Sequence, residues 1–225
     1  MSLRQRISRI FQFRSRLYLA TMRTHPLSTV YGFDRGQPAD RRYIEQFLAQ
    51  NREYIRGRCI EIRDDSYLRR FGGDRVTRFD VLDIDVDNHR ANVVGDLQDL
   101  NMVPDASYDC AVVTETLSFL RDPRRGVCEL HRILAAGGTA LLTVACLGRE
   151  EPAGGDGIDY WRFLPAGASA LFADLSWEVS VTPYGNALVG IGIWCGMAVE
   201  DLPQRAWRLN DPYWPCLVGI RATKP

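Results

Sequence analysis

Short apolar strands that alternate with helical segments constrain the fold of this chain most strongly. The most apolar of them is Tyr108–Thr114, which reads YDCAVVT. A strand that is apolar on both faces belongs in a parallel sheet with helices on each side. Further strand-like segments lie at 58–62, 76–84, 91–95, 139–144, 177–183 and 216–223. The pattern predicts an α/β fold with a mostly parallel central sheet and helices on both faces.

The segments between these strands carry helix signals. Asp40 is a candidate cap for a helix that runs to about Glu53, with four apolar residues on one face. Pro123 is expected to begin a second helix that ends at Gly137-Gly138, since proline is common at helix starts and glycine just past helix ends. Shorter helices are predicted at 165–175 and 187–199.

The first 25 residues differ from the rest of the chain and are predicted to form a basic helical arm. Apolar residues recur every three or four positions, and arginines fill much of the remainder with no acidic residue among them. We expect this arm to pack on its own domain, and a membrane surface or a partner protein is the alternative. Residues 26–225 are predicted to form one domain, because the length suits a single α/β unit.

Charge and cysteine usage exclude several classes of function. The formal net charge is zero, which gives no electrostatic case for nucleic acid. Lys224 is the only lysine among 28 basic residues, a bias typical of GC-rich bacterial genomes. The six cysteines form no C-x-x-C pair, so we expect reduced thiols and no metal site. Arg14 and Arg16 interrupt any apolar leader, which predicts a cytoplasmic protein without a transmembrane segment.

Four motifs in the centre of the chain occur together in a known order. Glu61 ends the first strand, Gly95-Asp96-Leu97 ends the third, Pro104–Asp109 leads into the fourth, and Glu129–Gly138 reads ELHRILAAGG. In this combination they resemble the class I S-adenosylmethionine (SAM)-dependent methyltransferases, which implies a Rossmann-like methyltransferase fold. The resemblance covers roughly residues 58–145.

A second set of motifs resembles one bacterial branch, the methyltransferase type 11-like proteins. It comprises Gly32–Gly36, Asp40–Ile44, Asp159–Phe163 and Tyr184–Asn186. The branch is found beside sugar-handling genes, so the resemblance implies the fold more directly than any substrate.

The resemblance implies SAM as cofactor and gives its candidate binding residues. In open α/β sheets, ligands bind beyond the carboxyl ends of the strands, where the strand order reverses. The loop after strand one would approach the methionine part, an acid after strand two the ribose, and an acid after strand three the adenine. Asp83 and Asp85 are equal candidates for the ribose. The candidate set is Glu61, Arg63, Asp64, Asp83, Asp85, Asp96 and Leu97.

The loop after strand one departs from the family pattern E-x-G-x-G-x-G. It reads Glu61-Ile62-Arg63-Asp64-Asp65-Ser66-Tyr67, so no glycine remains and Arg63 stands at the first glycine position. A side chain costs about 1–2 kcal/mol there if the backbone needs a positive φ. One hypothesis is that the Arg63 guanidinium pairs with the carboxylate of SAM. The other is that the pocket has lost cofactor binding.

Four residues are candidates for the catalytic step: Glu115, Asp159, Tyr160 and His25. Methyl transfer needs an aligned acceptor and often a base that takes its proton. Glu115 follows the fourth strand, where the family faces cofactor and substrate. Asp159 and Tyr160 follow a glycine-rich loop, so that residues 145–165 are either a lid that closes over substrate or an ordinary anchored loop. His131 is expected to pack structurally, and His89 to be solvated.

The sequence therefore predicts a SAM-dependent methyltransferase that acts on a small polar acceptor, by O-methylation of a sugar or a secondary metabolite. Two rivals stay open. One is a natural-product enzyme of the same fold, such as a cyclase, without methyl transfer. The other is a pseudo-enzyme scaffold that docks through its arm. A homodimer is compatible with each of these three functions.

Overall fold

A computed structural model describes residues 24–150 and 158–225 of the chain. The predicted arm at residues 1–25 therefore lies almost entirely outside the described residues. Seven strands form one sheet: β1 Gly57–Ile62, β2 Val76–Asp83, β3 Val93–Val94, β4 Tyr108–Thr114, β5 Leu134–Ala145, β6 Glu178–Tyr184 and β7 Leu217–Thr223. Their order is β3-β2-β1-β4-β5-β7-β6.

The first five strands are parallel, and the last two run antiparallel to their neighbours. From β1 the chain moves outward through β2 to β3, then returns to place β4 on the other side of β1. The strand order reverses between β1 and β4. This reversal opens a crevice at the carboxyl ends of these two strands, where α/β proteins bind ligands.

Within residues 24–150 and 158–225, four α-helices cover the sheet: α1 Ala39–Gln50, α2 Pro123–Ile133, α3 Pro165–Ala170 and α4 Ala187–Trp194. Residues of α2 and α3 share one apolar cluster, and residues of α1 and α4 share a second. In β4, Ala111 and Val113 enter the first cluster, whereas Cys110 and Val112 enter the second. The alternation buries both faces of the strand, which confirms the predicted α/β fold with helices on both faces.

Two predicted helix ends were wrong. Pro38 precedes α1 at the capping position, and Asp40 lies inside the first turn, where it accepts from the neighbouring Arg41 N–H. Helix α2 ends at Ile133, and Gly137 and Gly138 belong to the start of β5. The Leu134 backbone already pairs with Tyr108 of β4, so sheet pairing ends the helix before the glycines are reached.

The remaining boundaries shift by a few residues. The third strand shrinks to two residues, and α4 ends at Trp194 rather than near 199. All six cysteines are free thiols. No helix in the described ranges is both long and apolar enough to cross a membrane.

Candidate functional site

The Glu61 carboxyl, near the end of β1, holds the loop that follows this strand. Glu61 is 3% exposed, and its carboxyl accepts hydrogen bonds from the backbone N–H groups of Tyr67 (3.2 Å) and Leu68 (2.8 Å). Burial raises the pKa of Glu61 to about 8. Because both bonds go to the loop backbone, this carboxyl positions the loop rather than facing the crevice.

Arg63 has a left-handed backbone conformation. Its φ is +73°, in the region that a side chain disfavours. The Arg63 N–H donates to the Leu82 carbonyl (2.9 Å), and its own carbonyl accepts from the Asn88 amide (2.8 Å). These two hydrogen bonds hold the strained turn, and the Arg63 side chain is exposed.

The two acids after β2 have different surroundings. Asp83 is the last residue of the strand and is half-buried, and its Oδ2 accepts from the Asn88 amide (2.6 Å). The same amide bonds to the Arg63 carbonyl, so Asn88 links the ends of β1 and β2. Asp85 lies farther along, exposed, and its carboxyl accepts from the Asp87 N–H (2.9 Å).

The Gly-Asp-Leu motif after β3 forms a tight turn. The Asp96 carboxyl accepts from the backbone and side-chain N–H groups of Gln98 at 2.8 and 3.0 Å. Gln98 in turn accepts from the Asp122 N–H just before α2. Leu97 is 5% exposed and packs in the apolar core, so only its backbone is placed to contact a ligand.

Glu115 is the most unusual side chain at this edge. It follows β4 with a φ of +52°, a second strained non-glycine residue at a strand end beside the crevice. Its Oε1 atom is buried and has no hydrogen-bond partner among the described residues. Strain and an unpaired buried acceptor both cost stability, and such features collect at functional sites.

The charge state of Glu115 is set by its surroundings. Burial and the negative charge of Asp40 raise its pKa to about 7, and Thr143, Arg41 and Arg162 offset part of that rise. The Thr143 hydroxyl is buried beside the carboxyl and favours its charged form. The carboxyl therefore changes protonation near neutral pH.

An open groove of about 390 Å³ lies beside the β1 loop. It is lined by polar side chains and by three apolar or glycine residues: Gln37, Arg41, Glu45, Asp64 and Tyr67 with Phe33, Gly36 and Pro38. Arg41 donates to the Tyr67 hydroxyl (2.9 Å). No sequence motif marks Arg41 or Thr143, because only the fold brings them near Glu115.

The segment at 159–163 is fixed to the domain. The Asp159 carboxyl, only 4% exposed, accepts two bonds from the Arg162 guanidinium at 2.5 and 2.6 Å. The Trp161 indole N–H donates to the Leu120 carbonyl, and Phe163 is buried. Tyr160 remains 43% exposed. Residues 151–157 lie outside the described residues, so the structure describes the predicted lid at 145–165 only at its two ends, 145–150 and 158–165.

The histidines lie apart from these side chains. His25 is exposed, two residues before Leu27, whose N–H bonds to the Cys195 carbonyl at the end of α4. His131 packs edge-on against Trp177, with 4.9 Å between ring centroids, and burial lowers its pKa. His89 is exposed. The structural role expected of His131 agrees with this packing.

Comparison with known proteins identifies the central domain. Residues 59–142 match the sequence model of the methyltransferase domain. The chain therefore contains a methyltransferase domain over these residues. No curated protein matches the sequence. The match of this domain implies SAM as the cofactor.

Solved structures share the fold at low sequence identity. A SAM-dependent methyltransferase from Archaeoglobus fulgidus is 12% identical with a TM-score of 0.56, covering 82% of this chain and 94% of that one. One from Mesorhizobium loti is 15% identical with a TM-score of 0.56, covering 86% and 100%. The [4+2]-cyclase SpnF is 17% identical with a TM-score of 0.55, covering 90% and 87%.

The residues present fit the cofactor that the family uses. At the β1 turn Arg63 has a φ of +73°, a conformation that glycine adopts readily. Asp83 and Asp96 offer carboxylate acceptors at successive strand ends, as hydroxyl and amino donors require. The crevice thus retains the hydrogen-bonding chemistry of the site despite the missing glycines.

Proposed function

We propose that this protein transfers a methyl group from SAM to a hydroxyl of a small polar molecule, with Glu115 as the base. The observation that carries the proposal is the buried, unpaired Oε1 of Glu115 at the carboxyl end of β4. A buried acceptor without a partner is costly unless a ligand donor reaches it. An acceptor hydroxyl is such a donor.

The protonation behaviour of Glu115 suits this role. A base works best when its pKa is close to the working pH, and the pKa of this carboxyl is about 7. The bound cofactor supplies an electrophilic methyl group. Transfer of that methyl group would break its S–C bond and leave S-adenosylhomocysteine, and Glu115 would take the proton that the acceptor hydroxyl loses.

The candidate cofactor residues divide into three tasks. Asp83 binds the ribose hydroxyls, since it ends β2 and already accepts a donor there, and Asp96 faces the adenine. Arg63 pairs with the carboxylate of SAM, and Asp64 borders the groove. Glu61 acts through the loop backbone as a positioning residue.

The groove offers polar groups to an acceptor beside apolar side chains. Gln37, Arg41 and Glu45 present an amide, a guanidinium and a carboxylate, Tyr67 adds a hydroxyl, and Phe33 and Pro38 are apolar. A mixed lining of this kind suits hydroxyl groups carried on a carbon framework, as in a sugar or a glycosylated secondary metabolite. Tyr160, exposed beside the anchored Trp161, is a second candidate to contact this acceptor.

The test measures S-adenosylhomocysteine (SAH) produced from methyl-labelled SAM. The purified protein is incubated with the low-molecular-weight fraction of the cells that make it, and separately with their protein and nucleic-acid fractions. We expect label in the small-molecule fraction. Glu115→Gln should lower the rate about 100-fold. Glu53→Gln is the matched control, because Glu53 is an exposed carboxylate outside the groove.

The pH dependence separates the role of Glu115 from a merely structural one. The wild-type rate should rise through pH 7 as Glu115 loses its proton, and Glu115→Gln should lose that rise. Label in the macromolecular fractions would refute the small acceptor. No SAH from any fraction, by a protein that binds SAM, would favour a methyltransferase fold without methyl transfer.

A further inference from the structure

Four exposed apolar side chains lie close together in the segment that precedes α3. They are Ile158, Tyr160, Trp161 and Leu164, with exposed fractions of 61%, 43%, 43% and 62%. Apolar residues scattered singly over a surface are ordinary, whereas a contiguous group of them marks contact with a ligand or a partner. We call these four residues the apolar strip.

The backbone of this segment is fixed, so the strip is held in place at the surface. The backbone N–H groups of Tyr160 (2.8 Å) and Trp161 (3.3 Å) both donate to the Ser118 carbonyl. The Phe163 N–H donates to the carbonyl of Ala145, the last residue of β5, at 2.9 Å. A surface that is already ordered loses little entropy when a ligand covers it.

The strip adjoins Glu115. Ser118, which accepts both backbone N–H groups, donates its own hydroxyl to the Glu115 carbonyl at 3.3 Å. Arg162 comes from the same segment and is close to the Glu115 side chain: burial raises the pKa of Glu115, and Arg162 offsets part of that rise. The strip therefore lies beside the carboxyl ends of β4 and β5, next to the carboxyl that would take the proton.

The strip and the groove beside the β1 loop differ in chemistry. The groove presents an amide, a guanidinium and carboxylates, whereas the strip carries a single hydroxyl, that of Tyr160. Covering apolar surface is favourable, and aromatic side chains offer a flat face on which a ring packs well. An acceptor that contacts both surfaces needs hydroxyl groups at one end and an apolar portion at the other.

We propose that the strip binds an apolar portion of the acceptor, so that the substrate is an amphipathic glycoside and not a free sugar. This inference rests on the proposed function, because it concerns the molecule whose hydroxyl gives its proton to Glu115. Trp161 is the central contact. Its indole N–H is engaged by the Leu120 carbonyl at 2.9 Å, which fixes the ring and leaves its exposed surface for stacking. Binding at the strip holds the sugar beside Glu115.

Two glycosides that differ only in the aglycone test the proposal. Phenyl β-D-glucopyranoside and methyl β-D-glucopyranoside are each titrated into the full-length protein in the presence of SAH, and ligand-observed NMR gives the two dissociation constants. In the wild type, we expect the phenyl compound to bind at least about tenfold more tightly than the methyl compound. Trp161→Ala should remove most of this preference. Tyr160→Ala, which keeps the indole anchor, should lower it about threefold.

The ratio of the two constants separates an apolar contact from a structural effect. A variant that merely disturbs the segment weakens both glycosides alike, whereas loss of the contact weakens only the phenyl compound. Trp214→Ala is the matched control, because Trp214 is also an exposed tryptophan but lies before β7, outside the segment. It should keep the wild-type ratio. Glu115→Gln should keep the ratio too, so the absence of methyl transfer beside a high ratio would refute the proposed function alone.

Four results would overturn the proposal. The first is binding of the two glycosides that is equal, or absent, in the wild type. The second is a ratio that stays unchanged in both Trp161→Ala and Tyr160→Ala. The third is an equal fall of the ratio in Trp214→Ala. The fourth is a dimer by light scattering that Trp161→Ala dissociates, which would assign the strip to a second copy of the chain.

Discussion

The backbone N–H of Leu68 donates to the carboxyl of Glu61 at 2.8 Å, so the last part of β1 holds the turn that follows it. The adjacent Tyr67 N–H binds the same carboxyl. In a loop without glycines, this pair of bonds fixes the turn that carries Arg63 and Asp64. A buried carboxyl thus holds a turn that contains no glycine.

Removing that acceptor should weaken the fold. Glu61→Ala leaves two N–H groups without their partner, and we expect a loss of about 1–3 kcal/mol in the free energy of unfolding. Glu61→Gln keeps one acceptor oxygen and should cost less. Urea unfolding measures both, and Glu53→Gln at an exposed position is the control. A cost for Glu61→Ala no larger than the control would contradict this role.

The same carboxyl predicts a pH dependence of stability. Its pKa is about 8 in the folded protein and ordinary in the unfolded chain, so the folded state binds its proton more tightly. Its contribution is complete at pH 4 and is lost as pH rises through 8. Glu61→Gln should gain stability relative to the wild type between pH 5 and 9. A constant difference across that range would refute the pKa shift.

Two substitutions at Arg63 separate backbone strain from charge. Arg63→Ala removes the guanidinium but keeps a Cβ at φ +73°, whereas Arg63→Gly removes both. We expect each to weaken SAH binding about tenfold through loss of the carboxylate partner. The free energy of unfolding should be about 1 kcal/mol larger for the glycine variant than for the alanine variant. Calorimetry and urea unfolding measure the two effects, and unchanged or tighter binding by both would refute the ion pair.

The ribose acid can be identified by a matched pair of variants. Asp83→Asn should reduce SAH affinity at least about tenfold, because the half-buried Asp83 ends β2 at the crevice. Asp85→Asn should leave affinity almost unchanged, since Asp85 is exposed and accepts only a local backbone N–H. The reverse order of effects would reassign the ribose to Asp85.

Asp159 is expected to act on stability rather than on the chemical step. Asp159→Asn removes the charge and one of the two acceptor oxygens that bind Arg162, and we expect a loss of about 3 kcal/mol, as for a buried ion pair that loses one charge. Asp174→Asn is the control, because the Arg124–Asp174 pair is exposed on both sides. An equal, small effect of both variants on the thermal midpoint would show that the Asp159 pair adds no more than a surface contact.

The strands were predictable because burial leaves a direct mark on sequence. Tyr108–Thr114 was predicted with its observed bounds, since a strand buried on both faces is apolar throughout. The end of α2 was not, because pairing of Leu134 with β4 overrides the glycine signal. The environment of Glu115 was also hidden, since Asp40, Arg41 and Thr143 come from distant segments that no local pattern connects.

Calorimetric titration of the wild-type protein with SAH tests the central claim, that this crevice still binds the family's cofactor. The account predicts a dissociation constant in the micromolar range, about −8 kcal/mol. It also predicts that Asp83→Asn weakens binding and Asp85→Asn does not. No binding of SAH or SAM by the folded wild-type protein would contradict the account, and the side chains of the crevice would then need a different ligand.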